Sequence, residues 1–432
     1  MRAMKLSILC IALIVLGCTF ANGQAKHTVL YSFGTNGGVK DGWSPNGGLV
    51  FDAAGNMYGT TSFGGLVTGL CGSGCGTVFE LSPISGGGWG ETIIHSFSDA
   101  QDGLDPESGL ILDDQGNLYG TTLGSGNGQC QSPYCGTVFE LSPSGNGTWT
   151  ETVLYAFTNA PDGVEPLGSL TFDAAGNLYG TTAGGGLNGY GTAFELSPPL
   201  LPGGAWTETI LYSFCQVEVG KCSDGAGPFG GLVFDNFGNL YGTTTHGAVS
   251  KIWGLVYELS PNIDGSWTES VLYKFDGTHG GVSEAGLTFD PSGNLYGTLE
   301  SGGSKGPHCF KELYPPYSVA CGGVFRLAPK VGGGWTEKAF LFNGTDGGNP
   351  MAGVVLDGNS IYGTTYTGGY AYGTIFKITG TNETVIYKFC SRINCPDGAG
   401  PFGAMTLKSG KLFGTTEGGG AFNQGTIFSI TP

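Results

Sequence analysis

An all-β fold is predicted by three observations. The heptad Gly-Asn-Leu-Tyr-Gly-Thr-Thr stands unchanged at 116–122, 176–182 and 238–244, and four near-copies surround it. Each copy belongs to a unit of about 60 residues that carries four short runs reading as strands. Finally, 84 of 432 residues are Gly, yet 40% are hydrophobic, 12% aromatic and only 12% charged. A disordered glycine-rich chain lacks such an apolar fraction, so the glycines serve geometry within a large core.

The elements follow in chain order. Arg2 and Lys5 precede the apolar run 6–16, and the small residues Gly17, Ala21 and Gly23 follow it. That is the layout of a secretory signal peptide over residues 1–23, too short for a membrane span. Val15-Leu16-Gly17-Cys18 also resembles a bacterial lipobox, with lipidation at Cys18; bulky Leu16 favours ordinary cleavage near Ala21 or Gly23. No later segment reads as a membrane span.

Residues 24–432 then read as one domain. The repeat begins at Gly55, Gly116, Gly176, Gly238, Gly293, Ser360 and Gly410. One unit shows the four runs: "GSLTFD" at 168–173, "NLYGTT" at 177–182, "GTAFELS" at 191–197 and "WTETILYSF" at 206–214, called strands A to D. The Asp-x-x-Gly-Asn between A and B is a tight turn, Asp bonding its backbone and Gly supplying positive φ. A unit this long fits one blade of a β-propeller, a four-stranded antiparallel meander about a central channel. The N-terminal "HTVLYSF" at 27–33 is a D strand with no blade of its own, and the last unit stops after its C strand at 425–432. Pairing the two closes a seven-bladed ring and removes two open sheet edges. The glycine after each strand B aromatic (Gly59, Gly120, Gly180, Gly242, Gly297, Gly363, Gly414) admits close approach of a neighbouring sheet or ring. The motif therefore reads as a packing rule.

The unit "GGLVFDAAGNxYGTT … GTVFELSP … WTETVLYSF" resembles the GloVer-type glycine-rich tandem repeat of secreted bacterial proteins, a family with varied C-terminal anchors. The resemblance covers essentially all of 27–432 and carries over no catalytic residue. This chain departs from the anchored pattern, since Pro432 directly follows a strand.

In such meanders the A–B and C–D turns share one end of the ring; the B–C loops and D–A crossings share the other. The first end is nearly uniform. The second varies from the short 183–190 to the long 301–321, and loops on rigid scaffolds are where binding evolves. Its aromatics Tyr134, Tyr190, Trp253, Phe310, Tyr314, Tyr317, Tyr370 and Tyr372 are candidates to stack on sugars or anchor a protein, although several must pack the loops themselves.

Ten cysteines form five local pairs there: Cys71/Cys75, Cys130/Cys135, Cys215/Cys222, Cys309/Cys321 and Cys390/Cys395. In an exported chain these read as disulfides, with zinc as the competing assignment. Cys75, Cys135 and Cys321 stand just before strand C, where other blades have Tyr190, Trp253 and Tyr372, so a bridge and an aromatic plug are alternative ways to fix the loop base.

Formal net charge is −17. Between Lys40 and Lys221 there is no Lys or Arg but 18 Asp and Glu. Such a surface repels nucleic acid and anionic lipid. Part of this charge recurs as Asp-Gly in the D–A crossings, at Asp41, Asp102, Asp162, Asp224, Asp346 and Asp397, with Gly280 replacing Asp in the odd blade. Propeller geometry predicts a partial ring of carboxylates near the channel mouth, where Ca²⁺ could bind; Asp-Gly as ordinary turn chemistry is the stronger assignment. No metal or other cofactor is assigned.

Enzyme signatures are poor. Gly302–Gly306 matches Gly-x-Ser-x-Gly and Gly184–Gly189 matches Gly-x-Gly-x-x-Gly, but neither has the helix those motifs need. The histidines show no metal spacing, and His27 and His95 in D strands read as structural. The sequence favours a secreted or surface-bound monomeric scaffold that binds an extracellular glycan or protein without catalysis. The alternative is a carbohydrate-active hydrolase or lyase with carboxylates such as Asp105 and Glu107 at the channel mouth.

Overall fold

The computed structural model describes residues 25–35, 40–67, 71–98, 101–124, 134–158, 160–201, 203–217, 221–247, 253–303 and 321–432. Seven four-stranded antiparallel sheets make a seven-bladed β-propeller. Blade 3 is typical: strand A is Thr171–Phe172, B Leu178–Thr182, C Thr192–Ser197 and D Thr207–Ser213. The other blades span 50–96, 111–156, 233–274, 288–341 and 355–388. Blade 7 joins strands A to C within 406–431 to the strand Lys26–Ser32, which pairs antiparallel with Thr426–Thr431 from Lys26↔Thr431 to Ser32↔Thr426. The N-terminal strand thus closes the ring as predicted.

Every residue of the repeated heptad has an assignable task. In 176–182, Gly176 turns at φ 86°. Asp173 Oδ1 accepts from the Asn177 amide at 2.9 Å, and Oδ2 accepts from Asn177 Nδ2 at 2.8 Å and from Tyr179 Oη at 3.2 Å. Leu178 is fully buried. The Tyr179 ring meets Phe234 of the next blade edge-on at 5.0 Å. Gly180 leaves room for the Phe194 ring of its own strand C; a Cβ there would meet that ring at 2.6 Å. Thr181 donates to the Gly230 carbonyl of the next blade at 3.0 Å, and Thr182 bonds Thr192 across the B–C pair at 2.8 Å. Turn, blade core and blade-to-blade seam are all written in seven residues, which is why the motif cannot drift.

A second ring of contacts links consecutive blades. The Phe after each D strand packs against the strand C aromatic of the next blade, as in Phe157–Phe194 at 5.1 Å, and around the closure as Phe33–Phe79 at 5.3 Å. Blade 4 alone uses tyrosine at the strand C position. Tyr257 is fully buried, its hydroxyl has no hydrogen-bond partner among the described residues, and it crowds Gly242. Since an unsatisfied buried hydroxyl is destabilising, Tyr257→Phe should raise stability by about 1 kcal/mol. A denaturation midpoint that falls in this variant would show that the hydroxyl has a partner.

Candidate functional site

Strand A is innermost, and the segment leading into it lines the channel. The wall is mostly small residues: Gly47-Gly48, Gly168-Ser169, Gly230-Gly231 and Gly403-Ala404 among them. Backbones are in contact here, so that a Cβ on Gly47 would lie 2.6 Å from the Ser108 carbonyl. Two glutamates break this pattern. Burial, reinforced by Asp105 and Glu417, pushes the Glu107 carboxyl up to about 7, and burial alone raises Asp105 to about 6. Burial likewise raises Glu284, beside Glu300.

The Asp-Gly carboxylates are not part of this channel wall, contrary to the predicted ring. Each lies under its crossing, turned toward the preceding D strand. Asp41 Oδ2 accepts from Tyr31 Oη at 2.9 Å and from the amides of Gly34 and Thr35 at 2.9 and 3.0 Å. Asp162 is held by Tyr155 Oη and Thr158, Asp224 by Tyr212 Oη and the Gln216 amide, and Asp397 by Tyr387 Oη. Asp102 accepts from Ser98 and lies 3.5 Å from His95 Nε2; Asp346 accepts from the Asn343 amide at 2.8 Å. The odd blade also differs from its sequence reading. Gly280 keeps the glycine place, packed on Leu299, and His279 takes the Asp place, with Nδ1 3.1 Å from Glu337 Oε2. Among the described residues no three His, Cys, Asp or Glu side chains gather as metal ligands.

The variable face carries a better-formed site. Between blades 6 and 7, bordered by Trp43 of the crossing into blade 1, lies a cleft of about 340 Å³. Its walls are Tyr366, Tyr372 and Trp43; Glu417 and Asn423 supply polar groups. Tyr366 Oη donates to Glu417 Oε2 at 2.7 Å, which fixes both side chains. Trp43 is braced by stacking on Phe63 at 4.5 Å, whereas Tyr372 stands 47% exposed. Rigid aromatic faces beside a fixed carboxylate and an amide offer stacking plus directional hydrogen bonds. Of these residues only Tyr372 was singled out by sequence; Trp43, Tyr366, Glu417 and Asn423 come from three different blades.

The other candidates are dispersed. Tyr190 borders a cleft between blades 3 and 4. Tyr134 and Tyr370 are exposed, Tyr370 under the Lys388 ammonium. Trp253 packs onto Gly277 and Gly281 of its own crossing, consistent with the plug role. Phe310, Tyr314, Tyr317 and Ser304 lie outside the described residues. Disulfides join Cys71–Cys75, Cys215–Cys222 and Cys390–Cys395. Cys135 and Cys321 are disulfide-bonded as well; Cys130 and Cys309 fall outside the described residues.

The Gloeobacter/Verrucomicrobia repeat matches the chain over residues 16–247, 70–310 and 250–432. No curated protein matches it. Among solved structures it is similar to PorZ, a bacterial surface component of the type-IX secretion system of Porphyromonas gingivalis, at 14% identity and a TM-score of 0.52. The match covers 89% of this chain but 46% of PorZ, so the chain spans about half of that protein's length. Similarity is also found to a protein of unknown function from Dyadobacter fermentans (12% identity, TM-score 0.46, 95% of this chain and 99% of that one). The polysaccharide lyase Uly1 matches at 10% identity and a TM-score of 0.48, over 96% of this chain and 94% of the lyase.

Proposed function

The chain belongs to the Gloeobacter/Verrucomicrobia repeat family, and we propose that it is a secreted or cell-surface scaffold that binds glycan, without catalysis, through its B–C/D–A face. The observation carrying this reading is the cleft of Trp43, Tyr366, Tyr372, Glu417 and Asn423. Aromatic rings stack on the apolar faces of sugars, and a cleft of this volume suits a sugar ring better than a protein surface. The net charge of −17 and Glu417 in the wall favour neutral over anionic chains. The disulfides support an oxidising compartment, and no described helix is long and apolar enough to cross a membrane. Affinity electrophoresis against β-glucan, xylan, galactomannan and starch is the test. At least one polymer should retard the protein, and Trp43→Ala or Tyr372→Ala should weaken that binding about tenfold or more. Binding unchanged in both variants, or absent for every polymer, would refute the reading.

A second reading has one observation behind it. Glu107, raised to about 7 beside Asp105, has the protonation a general acid needs at neutral pH. Polysaccharide turnover that vanishes in Glu107→Gln would establish it over the binding role.

A further inference from the structure

The cleft between blades 6 and 7 has a counterpart between blades 3 and 4. That second cleft, about 370 Å³, is bordered by Tyr190, Phe229 and His246. The two occupy corresponding places in the repeat. Tyr190 and Tyr372 both stand just before strand C, 42% and 47% exposed. Each following crossing opens with a disulfide, Cys215–Cys222 or Cys390–Cys395. Each then continues with the same seven residues, Asp-Gly-Ala-Gly-Pro-Phe-Gly, at 224–230 and 397–403. No other crossing has this sequence.

The shared residues are the ones that open the clefts. Before the crossing proline, other blades place Ser44, Asp105, Glu165 and Asn349, all left-handed at φ 51–61°. The two cleft blades place Gly227 and Gly400 there at φ 64° and 62°. Positive φ alone does not demand glycine at this position, because four side chains already adopt it. Space does: a Cβ on Gly400 would lie 2.9 Å from the Tyr366 ring, and one on Gly227 2.7 Å from Thr245 Oγ1. Ala226 and Ala399, where blade 1 has Trp43, keep the wall low. A polar group faces each opening, Glu417 in one and His246 in the other, where His246 Nδ1 is 2.7 Å from Thr245 Oγ1. Four of the other five blade junctions seal the same region differently: Cys75, Cys135 and Cys321 sit buried in disulfides, and Trp253 fills the site between blades 4 and 5.

We propose that the clefts between blades 3 and 4 and between blades 6 and 7 are a matched pair of sites for the same neutral glycan, so that one polysaccharide chain is held at two points across the face. This rests on the glycan-binding reading above. The sites lie three blades apart around the ring one way and four the other, and share no lining residue. A polymer occupying one cleft meets the second at raised effective concentration and gains avidity without a new contact.

The test uses Gly227→Asn, Gly400→Asn and the double variant. Asn is accepted in this backbone conformation, as Asn349 shows, but its side chain fills the cleft. Tyr190→Ala and Tyr372→Ala are companions that alter an exposed ring and spare the backbone. With the hexasaccharide of the polymer that binds, calorimetry should find two sites in the parent, one in each single variant and none in the double. On the polymer itself each single variant should lose about 10- to 100-fold in apparent affinity. A parent stoichiometry of one, with Gly227→Asn and Tyr190→Ala both silent, would overturn the paired-site inference while leaving the blade 6–7 cleft as the glycan site. Absence of any hexasaccharide or polymer binding would instead defeat the glycan reading on which it rests.

Discussion

Removing residues 26–33 should leave a protein that no longer unfolds as one cooperative unit. That strand supplies the whole outer edge of blade 7, pairing along Thr426–Thr431. His27 stacks on Tyr387 of blade 6 at 4.0 Å and packs on Phe428, while fully buried Phe33 meets Phe79 of blade 1. The strand therefore touches three blades. Without it the core of Leu49, Met57, Phe79 and Ile427 is opened to water and the ring has two free ends. Phe33→Ala alone should cost about 3–5 kcal/mol, the usual range for a buried phenylalanine. The deletion should cost more, with a broad, early urea transition that a synthetic peptide of residues 25–35 added in trans sharpens again. A deletion variant with the parent's midpoint and slope would mean that the ring is held shut by something else.

The parts of the molecule legible in the sequence are those the repeat writes seven times. Strand order, turn chemistry, ring closure and the glycine beside the strand B aromatic all follow from a register in which any drift breaks packing on three sides. The clefts were not legible for the opposite reason. Tyr190 and Tyr372 share their place before strand C with Trp253, and sequence alone offers all three both as plugs and as ligand-stacking rings without telling them apart. What separates them lies about 30 residues downstream, in whether the next crossing has Ala and Gly before its proline. The duplicated Asp-Gly-Ala-Gly-Pro-Phe-Gly was visible, but the Asp-Gly at its head draws it into the turn motif common to the crossings. The carboxylate ring failed because a crossing spans the full radius of the blade. An aspartate at its start belongs to the outer D strand and not to the axis. His279 was overlooked since its crossing has no Asp directly before Gly280 and no Pro, leaving the alignment to the glycines.

Lowering the pH from 7.5 to 5.0 should make this protein more stable. In six D strands a glutamate (Glu91, Glu151, Glu208, Glu269, Glu337, Glu383) has Oε1 buried without a hydrogen-bond partner among the described residues. Burial first, and then the nearby crossing aspartate, pushes five of these carboxyls up to about 7, with His95 partly offsetting the rise at Glu151; burial raises Glu337 too, against the pull of His279. An acid whose folded pKa is raised binds more protons folded than unfolded between about 4.5 and 7. Its contribution is fully present below the unfolded value and is lost as the pH climbs through the folded one. His27, lowered to about 4 by burial, acts in the opposite sense between about 4 and 6.5, and His246, also lowered by burial, acts with it, two groups against the raised glutamates. These glutamates are partly exposed, so solvent screening reduces each to about 0.5 kcal/mol, and the set to about 2–3 kcal/mol. For a chain of this size that is a rise in Tm of about 3 °C. Replacing the five glutamates raised to about 7 in the D strands with Gln should remove most of the slope between pH 5.0 and 7.5. The remainder comes from Glu107, Asp105, Glu284 and Glu337, which burial also raises, while ordinary surface carboxylates stay charged throughout that window. A Tm that falls on acidification, or a pH dependence left unchanged by the five substitutions, would place the proton uptake elsewhere in the ring.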